Sequence, residues 1–294
     1  MTRQQDEALD YFRCNADRWK ELALGACEDR VNITRQRNDF VLDMLARQSH
    51  LRSLLDIGCG SGELVAAAAE RGLRSVGVDF SMEMIENAKS LDASNCEFIC
   101  SSIFDCSFGA GQFDAIAANG LIEYISAPQL DDLLVLCRNW LKPGGMLVLG
   151  SRNRLFNLLS LNDFTLLESA SGSLPALAAE AAALTQSPGM AEYLASVPAL
   201  AAPPPQDFDH PGTGIAVARR YQYTPAELTH ILDRWGFTVF NLAPAHIHAV
   251  PPAFKAAHPG LHTALSLLLQ KEGGDSLALI PHASTFMAAA ESRP

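Results

Sequence analysis

Several absences in this 294-residue sequence narrow its function before any motif is considered. Although 48% of its residues are hydrophobic, no stretch approaches the roughly 18 uninterrupted apolar residues of a membrane span. The opening MTRQQDEALD has no apolar signal core. Stable membrane insertion is therefore not expected, and a cytoplasmic location is. Basic residues are scarce: 22 Lys and Arg stand against 33 Asp and Glu, a formal net charge of −11. Such a surface opposes long-range attraction to phosphate backbones, which argues against a nucleic-acid partner and favours a small molecule. No C-x-x-C pair occurs among the seven cysteines at 14, 27, 59, 96, 100, 106 and 137. The usual zinc-ligand spacing is thus missing, no metal is expected, and the odd set reads as reduced, buried thiols.

The dinucleotide fingerprint G-x-G-x-x-G is missing too. What stands in its place is LLDIGCGSG (54–62), an apolar run ending at Asp56 and Ile57, followed by Gly58, Gly60 and Gly62, with Glu63 at the sixth position of the loop. Three glycines permit a tight turn from a buried strand into a helix and let a ligand approach bare backbone. A pyrophosphate would meet the Glu63 carboxylate there. A second apolar run, RSVGVD, ends in Asp79, 17 residues after Gly62. An acid at a buried strand end is costly without donors, and this one is placed to accept both hydroxyls of a ribose. The residues together describe a cofactor with a ribose and no phosphate.

The length suits one enlarged α/β domain. Residues 1–50 read as an N-terminal helical cap of two helices, carrying Tyr11, Phe12 and Trp19, then Phe40, Val41, Met44 and Leu45, and expected across the cofactor mouth. From 51 to 154 the strands SLLDI, RSVGVD, CEFIC, FDAIAA and GMLVLGS alternate with helices after the first, second and fourth. That is the pattern of a doubly wound parallel sheet. Lys142-Pro143-Gly144-Gly145 reads as the turn into the fifth strand. Residues 155–218 contain no Lys or Arg and run into Ala201-Ala202-Pro203-Pro204-Pro205. They read as an insertion whose helical segments 162–168, 174–184 and 190–197 form a lid over the substrate site, the alternative being a solvated ornament. Residues 219–294 return to the core: Thr224-Pro225-Ala226-Glu227 is a capping box opening a helix that Gly236 ends, and 237–242 and 284–290 are the sixth and seventh strands.

Four segments in order, LLDIGCGSG, RSVGVD, FDAIAANGLIEYI (113–125) and LKPGGMLVLGSRNR (141–154), resemble the class I S-adenosylmethionine-dependent methyltransferases. Within that superfamily the chain is most similar to the ubiquinone-biosynthesis type of small-molecule O-methyltransferase. That type also carries an Asn-x-x-Arg, matched by Asn32 to Arg35, and an Asn-Arg after the fifth strand, matched by Asn153 and Arg154. The likeness covers about residues 10–154. It implies a seven-stranded, mostly parallel, Rossmann-like methyltransferase fold, with the last strand antiparallel and S-adenosylmethionine as cofactor.

On this resemblance Gly58, Cys59, Gly60 and Gly62 form the cofactor loop, and Asp56 orients its amides or the cofactor ammonium. Asp79 binds the ribose and Phe80 flanks the adenine. Ser102 stands where relatives often have an acid for the adenine amino group, leaving the Ile103 backbone to serve. Asn119 faces the methyl donor, and Arg35 closes on the cofactor carboxylate or is a solvated helix-face charge. Arg152, Asn153 and Arg154, at the carboxyl end of the fifth strand, suit an anionic or polyhydroxylated acceptor, or else pair with Asp163 and Glu168.

The proton acceptor is not identified. The Glu-His of the ubiquinone type is Glu123-Tyr124 here, and a phenol with a pKa of about 10 is a poor substitute at neutral pH. His246 and His248 in PAHIHAVPP share one side of an extended segment and are candidates for a base or a substrate contact. They are also compatible with the start of a metal site, but no Asp, Glu or Cys partner is readable nearby. O-methylation of a small molecule is the leading expectation. N-methylation of a small amine and a non-catalytic S-adenosylmethionine-binding protein are the alternatives, and a nicotinamide-dependent oxidoreductase is disfavoured by the loop. Nothing in the sequence sets the oligomeric state.

Overall fold

Seven strands make one sheet in the computed structural model, which describes residues 3–24, 31–205, 209 and 217–293. They are β1 (Ser53–Ile57), β2 (Arg74–Asp79), β3 (Cys96–Cys100), β4 (Phe113–Asn119), β5 (Leu141–Arg152), β6 (Phe237–Ile247) and β7 (Ala283–Ser292). Their order is β3-β2-β1-β4-β5-β7-β6. β1 to β5 are parallel, and β7 runs antiparallel to both β5 and β6. The mostly parallel, Rossmann-like methyltransferase fold is thus present. β1 is buried along its whole length, because a strand covered by helices on both faces carries a continuous apolar run. The chain moves outward from β1 through β2 to β3, then returns on the other side to β4. The crevice at that reversal is where open α/β sheets place ligands.

The helices α1 (Arg3–Cys14), α2 (Ala16–Leu24) and α3 (Ile33–Ala46) precede the sheet. The sequence reading expected two helices here. The first splits at Asn15, whose side-chain amide donates back to the Tyr11 carbonyl at 2.8 Å, competing with continuation of the helix. Helices α4 (Glu63–Glu70), α5 (Met82–Lys89) and α6 (Ala127–Trp140) follow β1, β2 and β4 as expected. β3 is followed only by a 3-10 turn at Ile103–Asp105. The Lys142 to Gly145 segment lies inside β5 rather than ahead of it. Leu141 pairs with Phe113 and Met146 with Ala115, so the four residues between loop out as a bulge.

The insertion holds α7 (Asn157–Ser160), α8 (Asp163–Ala170), α9 (Leu174–Gln186) and α10 (Met190–Ser196). Two buried carboxylates moor it. Arg154, 1% exposed, forms a fork onto Glu168 at 2.9 and 2.8 Å. Glu180 accepts from the Tyr193 hydroxyl at 3.1 Å and from the Ala226 amide at 2.8 Å. That amide lies at the start of α11 (Pro225–Arg234), which Thr224 and Glu227 cap as expected. β6 extends five residues beyond the expected end at 242, through Pro244 to Ile247. A proline is tolerated there because β6 is the sheet edge. α12 (Pro252–Ala257) and α13 (Pro259–Gly273) connect β6 to β7. No helix among the described residues is long and apolar enough to cross a membrane.

Candidate active site

A cavity of about 290 Å³ opens at the carboxyl ends of β1 to β5. Its floor is the glycine loop. Gly58, Gly60 and Gly62 have φ of +72°, +52° and +85°, a region that side chains with a Cβ rarely occupy. At Gly62 a Cβ would also lie 2.8 Å from both Ala88 and the Phe98 ring, so the loop is pressed against the α5 and β3 side of the fold. Gly60, which lines the cavity, has open space where a Cβ would stand.

Asp79 fastens this loop from the end of β2. One carboxylate oxygen accepts from the Gly60 amide at 3.0 Å and the other from the Ser81 amide at 2.9 Å. Burial raises its pKa, while the amides of Ser81, Gly60 and Phe80 pull it back. Asp56, at the end of β1, has no such help. One oxygen is buried without a partner, and burial, reinforced by the charges of Asp79 and Glu63, pushes its pKa up to about 8. A cavity wall that holds an unpartnered carboxyl is electrostatically suited to a cation.

Cys59, Phe80, Ser102, Ile103, Asn119, Tyr124 and Arg152 also line the cavity, so most of the residues picked from the sequence do converge. Ser102 spends its hydroxyl capping the turn at Ile103–Asp105, accepting from the Phe104 amide at 3.3 Å. Asn119 donates to the Asn38 side chain at 3.3 Å and leaves its own oxygen unpartnered.

Five residues are placed elsewhere. Arg35 is exposed and pairs loosely with Asp39 at 3.8 Å. Asn32 caps α3 by accepting from the Arg35 backbone amide at 2.9 Å, so this Asn-x-x-Arg spacing is an N-cap and its third helical residue. The cavity side of α3 instead carries Ile33, Thr34, Arg37 and Asn38, one helical turn apart in two pairs. Asn153 is buried, donating to the Ile280 and Ala283 carbonyls at 2.6 and 2.9 Å. Arg154 is consumed by Glu168. His246 and His248 are buried at the end of β6 and are not among the cavity-lining residues.

The insertion meets the cavity wall through its last described residues, where Val217 packs with Ala8 and Tyr124. Among the described residues none from 155–205 lines the cavity, which is covered by Gln5, Ala8 and Phe12 of α1, Trp19 of α2 and the inner side of α3. Residues 206–208 and 210–216, which complete the expected lid, lie outside the described residues, as does Cys27. The other six cysteines are free.

At the end opposite Asp79 the wall carries charge that the sequence reading did not assign. Glu123 is buried, and its Oε2 lies 3.7 Å from the Arg152 Nε without a hydrogen bond. Arg37 donates to the Thr285 hydroxyl at 3.1 Å and keeps a buried Nε unpartnered. Burial lowers the Arg37 pKa and the nearby Glu123 raises it. Burial, then Glu123, raise the Tyr124 phenol further above its ordinary value, which opposes a role as base. The signal for Arg37 was its position, four residues after Ile33 on one helix face, which the match to Arg35 obscured.

A family model described as a methyltransferase domain matches residues 54–145, from the glycine loop through the β5 bulge. Residues 54–145 are thus the part of the chain that is similar to a methyltransferase domain. Among curated proteins, the ubiquinone biosynthesis O-methyltransferase of Xanthomonas campestris pv. campestris strain B100 is 31% identical over 150 residues, 50% of this chain and 61% of the relative. The chain therefore spans under two thirds of the length of that relative. Among solved structures, the magnesium protoporphyrin IX methyltransferase of Synechocystis PCC 6803 with bound SAH aligns at TM-score 0.59 and 15% identity, covering 98% of this chain and 99% of that one. The 1,6-didemethyltoxoflavin-N1-methyltransferase of Burkholderia thailandensis, with its substrate and S-adenosylhomocysteine bound, aligns at 0.53 and 13%, covering 99% and 89%. Similarity at that level shares the fold, and acceptor chemistry is set by the site.

The residues present fit the cofactor of such a domain. S-adenosylmethionine carries a ribose diol, an ammonium and an adenine. The cavity offers a carboxylate at the end of β2, an unpartnered buried carboxyl at Asp56, and an apolar wall of Phe80 and Ile103.

Proposed function

We propose that the protein is an S-adenosylmethionine-dependent methyltransferase acting on a small, negatively charged acceptor, with oxygen as the atom methylated. The observation that carries the reading is the pairing, in one cavity, of Asp79 tied to the glycine loop with an unpartnered Asp56. In this reading Asp79 holds the ribose, Asp56 the ammonium, and Gly58, Cys59, Gly60 and Gly62 supply bare backbone. Phe80, Ser102 and Ile103 flank the adenine, and Asn119 faces the reacting end. The cofactor supplies a methyl group on a sulfonium, which leaves by in-line displacement. The protein's work is to position the acceptor and exclude water, an effect worth up to about 7–11 kcal/mol.

The acceptor end supports the charge assignment. Among the described cavity-lining residues at that end, Arg37 and Arg152 stand beside one carboxylate, Glu123. Buried charge of one sign calls for compensation, and an acceptor carboxylate or phenolate supplies it. Glu123, beside Arg152, is placed to orient the guanidinium that faces the acceptor. The preference for oxygen rests on likeness to the ubiquinone biosynthesis O-methyltransferases. The cover formed by α1 to α3 keeps the site dry, and a cytoplasmic setting suits the free thiols.

The test is calorimetric titration of the purified chain with S-adenosylmethionine beside Asp79→Ala, followed by mass-spectrometric screening of hydroxylated aromatic acids and amines. Saturable binding lost in the variant, with methylated acids as products, is the expected outcome. No binding by the folded native chain overturns the cofactor assignment; methylation of amines alone overturns the acceptor assignment.

A further inference from the structure

Behind the cavity wall, the end of β6 and the first turn of α13 bring three histidines together. His246, His248 and His262 are 6%, 6% and 2% exposed. One ring nitrogen from each lies within 4.8 Å of the other two. His246 Nε2 is 3.3 Å from His262 Nε2, and the rings of His246 and His248 are 4.1 Å apart, centre to centre. The sequence showed only the His-x-His pair and no partner for it; the third member comes from 14 residues beyond His248, delivered by the α12–α13 turn. His246 is held in an unusual backbone state, φ +56°, opposite Ser284.

Hydrogen bonding within the cluster does not account for it. A neutral imidazole has one donor and one acceptor nitrogen. His246 uses Nδ1 with the Ser284 hydroxyl at 3.0 Å and faces His262 with Nε2. Both nitrogens of buried His248 and Nδ1 of His262 remain without partners. Each such orphan costs about 1–3 kcal/mol, and three in one place point to a missing ligand. The 3.3 Å separation of the His246 and His262 nitrogens equals that of two ligands about 2.05 Å from a tetrahedral metal. The Ser284 hydroxyl on the far nitrogen of His246 is the outer contact that fixes a ligating ring.

We propose that His246, His248 and His262 form a binding site for one divalent first-row transition cation, Zn²⁺ fitting best, with a solvent-derived or anionic group as fourth ligand. All three donors are imidazole nitrogens, which suit Zn²⁺, Co²⁺ or Ni²⁺ and not the oxygen-seeking Mg²⁺ or Ca²⁺. Lys255, half-buried, and Arg37 on the His246 side are nearby cations that oppose metal, and an anionic fourth ligand offsets them. The site braces the wall of the cavity. Ser284, bonded to His246, and Thr285, bonded to Arg37, both line the cavity.

The experiment is a titration of the purified, chelator-treated full chain with Co²⁺, read by visible absorption, and with Zn²⁺, read by calorimetry and thermal melting. One equivalent should bind, giving a tetrahedral cobalt spectrum without a thiolate charge-transfer band and raising the melting temperature. His248→Gln and His262→Gln should each weaken binding by at least about 100-fold, and Ser284→Ala by about tenfold. His50→Gln, on the surface, should bind as the native chain does. If His262→Gln fails to fold, His248→Gln decides. No saturable binding at submillimolar Zn²⁺ by the folded native chain overturns the proposal, as does a thiolate band or full affinity in the folded His248→Gln variant.

Discussion

Asp56 is the residue with most to reveal about how the site is charged. Its carboxyl titrates near 8 in the folded chain and near 3.9 in an unfolded one, so the native state holds an extra proton between those values. The stability this contributes is fully present below about pH 4 and is lost progressively as pH rises to about 8. Urea unfolding between pH 5 and 8 should therefore show native stability falling with pH more steeply than in Asp56→Asn. A cation docked against Asp56 reverses the argument by favouring the carboxylate. Cofactor binding at pH 6.5 should accordingly release a proton, seen as a buffer-dependent enthalpy in calorimetry and abolished in Asp56→Asn; equal enthalpies in buffers of different ionisation heat would remove Asp56 from the ammonium site. Residues whose place follows from backbone position were legible in the sequence: three glycines and the acids ending β1 and β2 have little freedom to be anywhere else. Arg35 falls on the solvent side of α3, as its helix-face alternative has it, because a helix turns by 100° per residue and two positions decide between the cavity and solvent.

Among the elements, the insertion behaves as a packed extension of the core. The Arg154–Glu168 pair that anchors it is almost wholly buried, 1% and 0% exposed on its two side chains. Glu168 also accepts from Asn157 at 2.8 Å, and Arg154 reaches the Pro204 carbonyl at 2.8 Å. Removing one member of such a buried pair costs about 3–5 kcal/mol because the other is left charged. Glu168→Gln should lower the unfolding free energy by that amount in urea while leaving cofactor affinity within about twofold, because the pair is separate from the cavity wall. A loss of cofactor affinity at unchanged stability would place the insertion over the site after all. The strand and helix positions from 53 to 119 were legible because short connections and buried, non-alternating runs constrain them. The insertion's helices were legible individually, from caps such as Asn162, but their docking was not. Glu168 and Glu180 are ordinary polar residues in sequence and become anchors only through partners 14 and 46 positions away.

At the scale of the whole molecule, the cover over the cofactor cavity is assembled from opposite ends of the chain. α1 is held down by the last residue of the insertion and the one after it: Glu7 accepts from the Ala218 amide at 3.0 Å and Gln4 donates to the Arg219 carbonyl at 2.9 Å. The same stretch reaches the acceptor end, where the Tyr221 amide donates to the Glu123 carbonyl at 2.8 Å. Phe12 closes the arrangement, its ring edge-on to Tyr124 at 5.2 Å and 5.9 Å from Trp19. No local pattern in the sequence encodes these long-range contacts, although the expectation that N-terminal helices cross the cofactor mouth was readable from their apolar spacing. An aromatic pair of this kind is worth about 0.5–1.5 kcal/mol beyond its burial. If the cover closes over bound cofactor, Phe12→Ala should weaken S-adenosylmethionine binding by about three- to tenfold. The change should fall mainly on the dissociation rate, since the cover restrains escape more than it guides entry. Stopped-flow binding with native and variant chains measures both rates, and native-like urea unfolding of the variant separates a loosened cover from a damaged core. An unchanged dissociation rate would mean that α1 and α2 rest on the site without retaining its occupant, and retention would then pass to α3, where Arg37 and Asn38 stay in the wall whatever happens to Phe12.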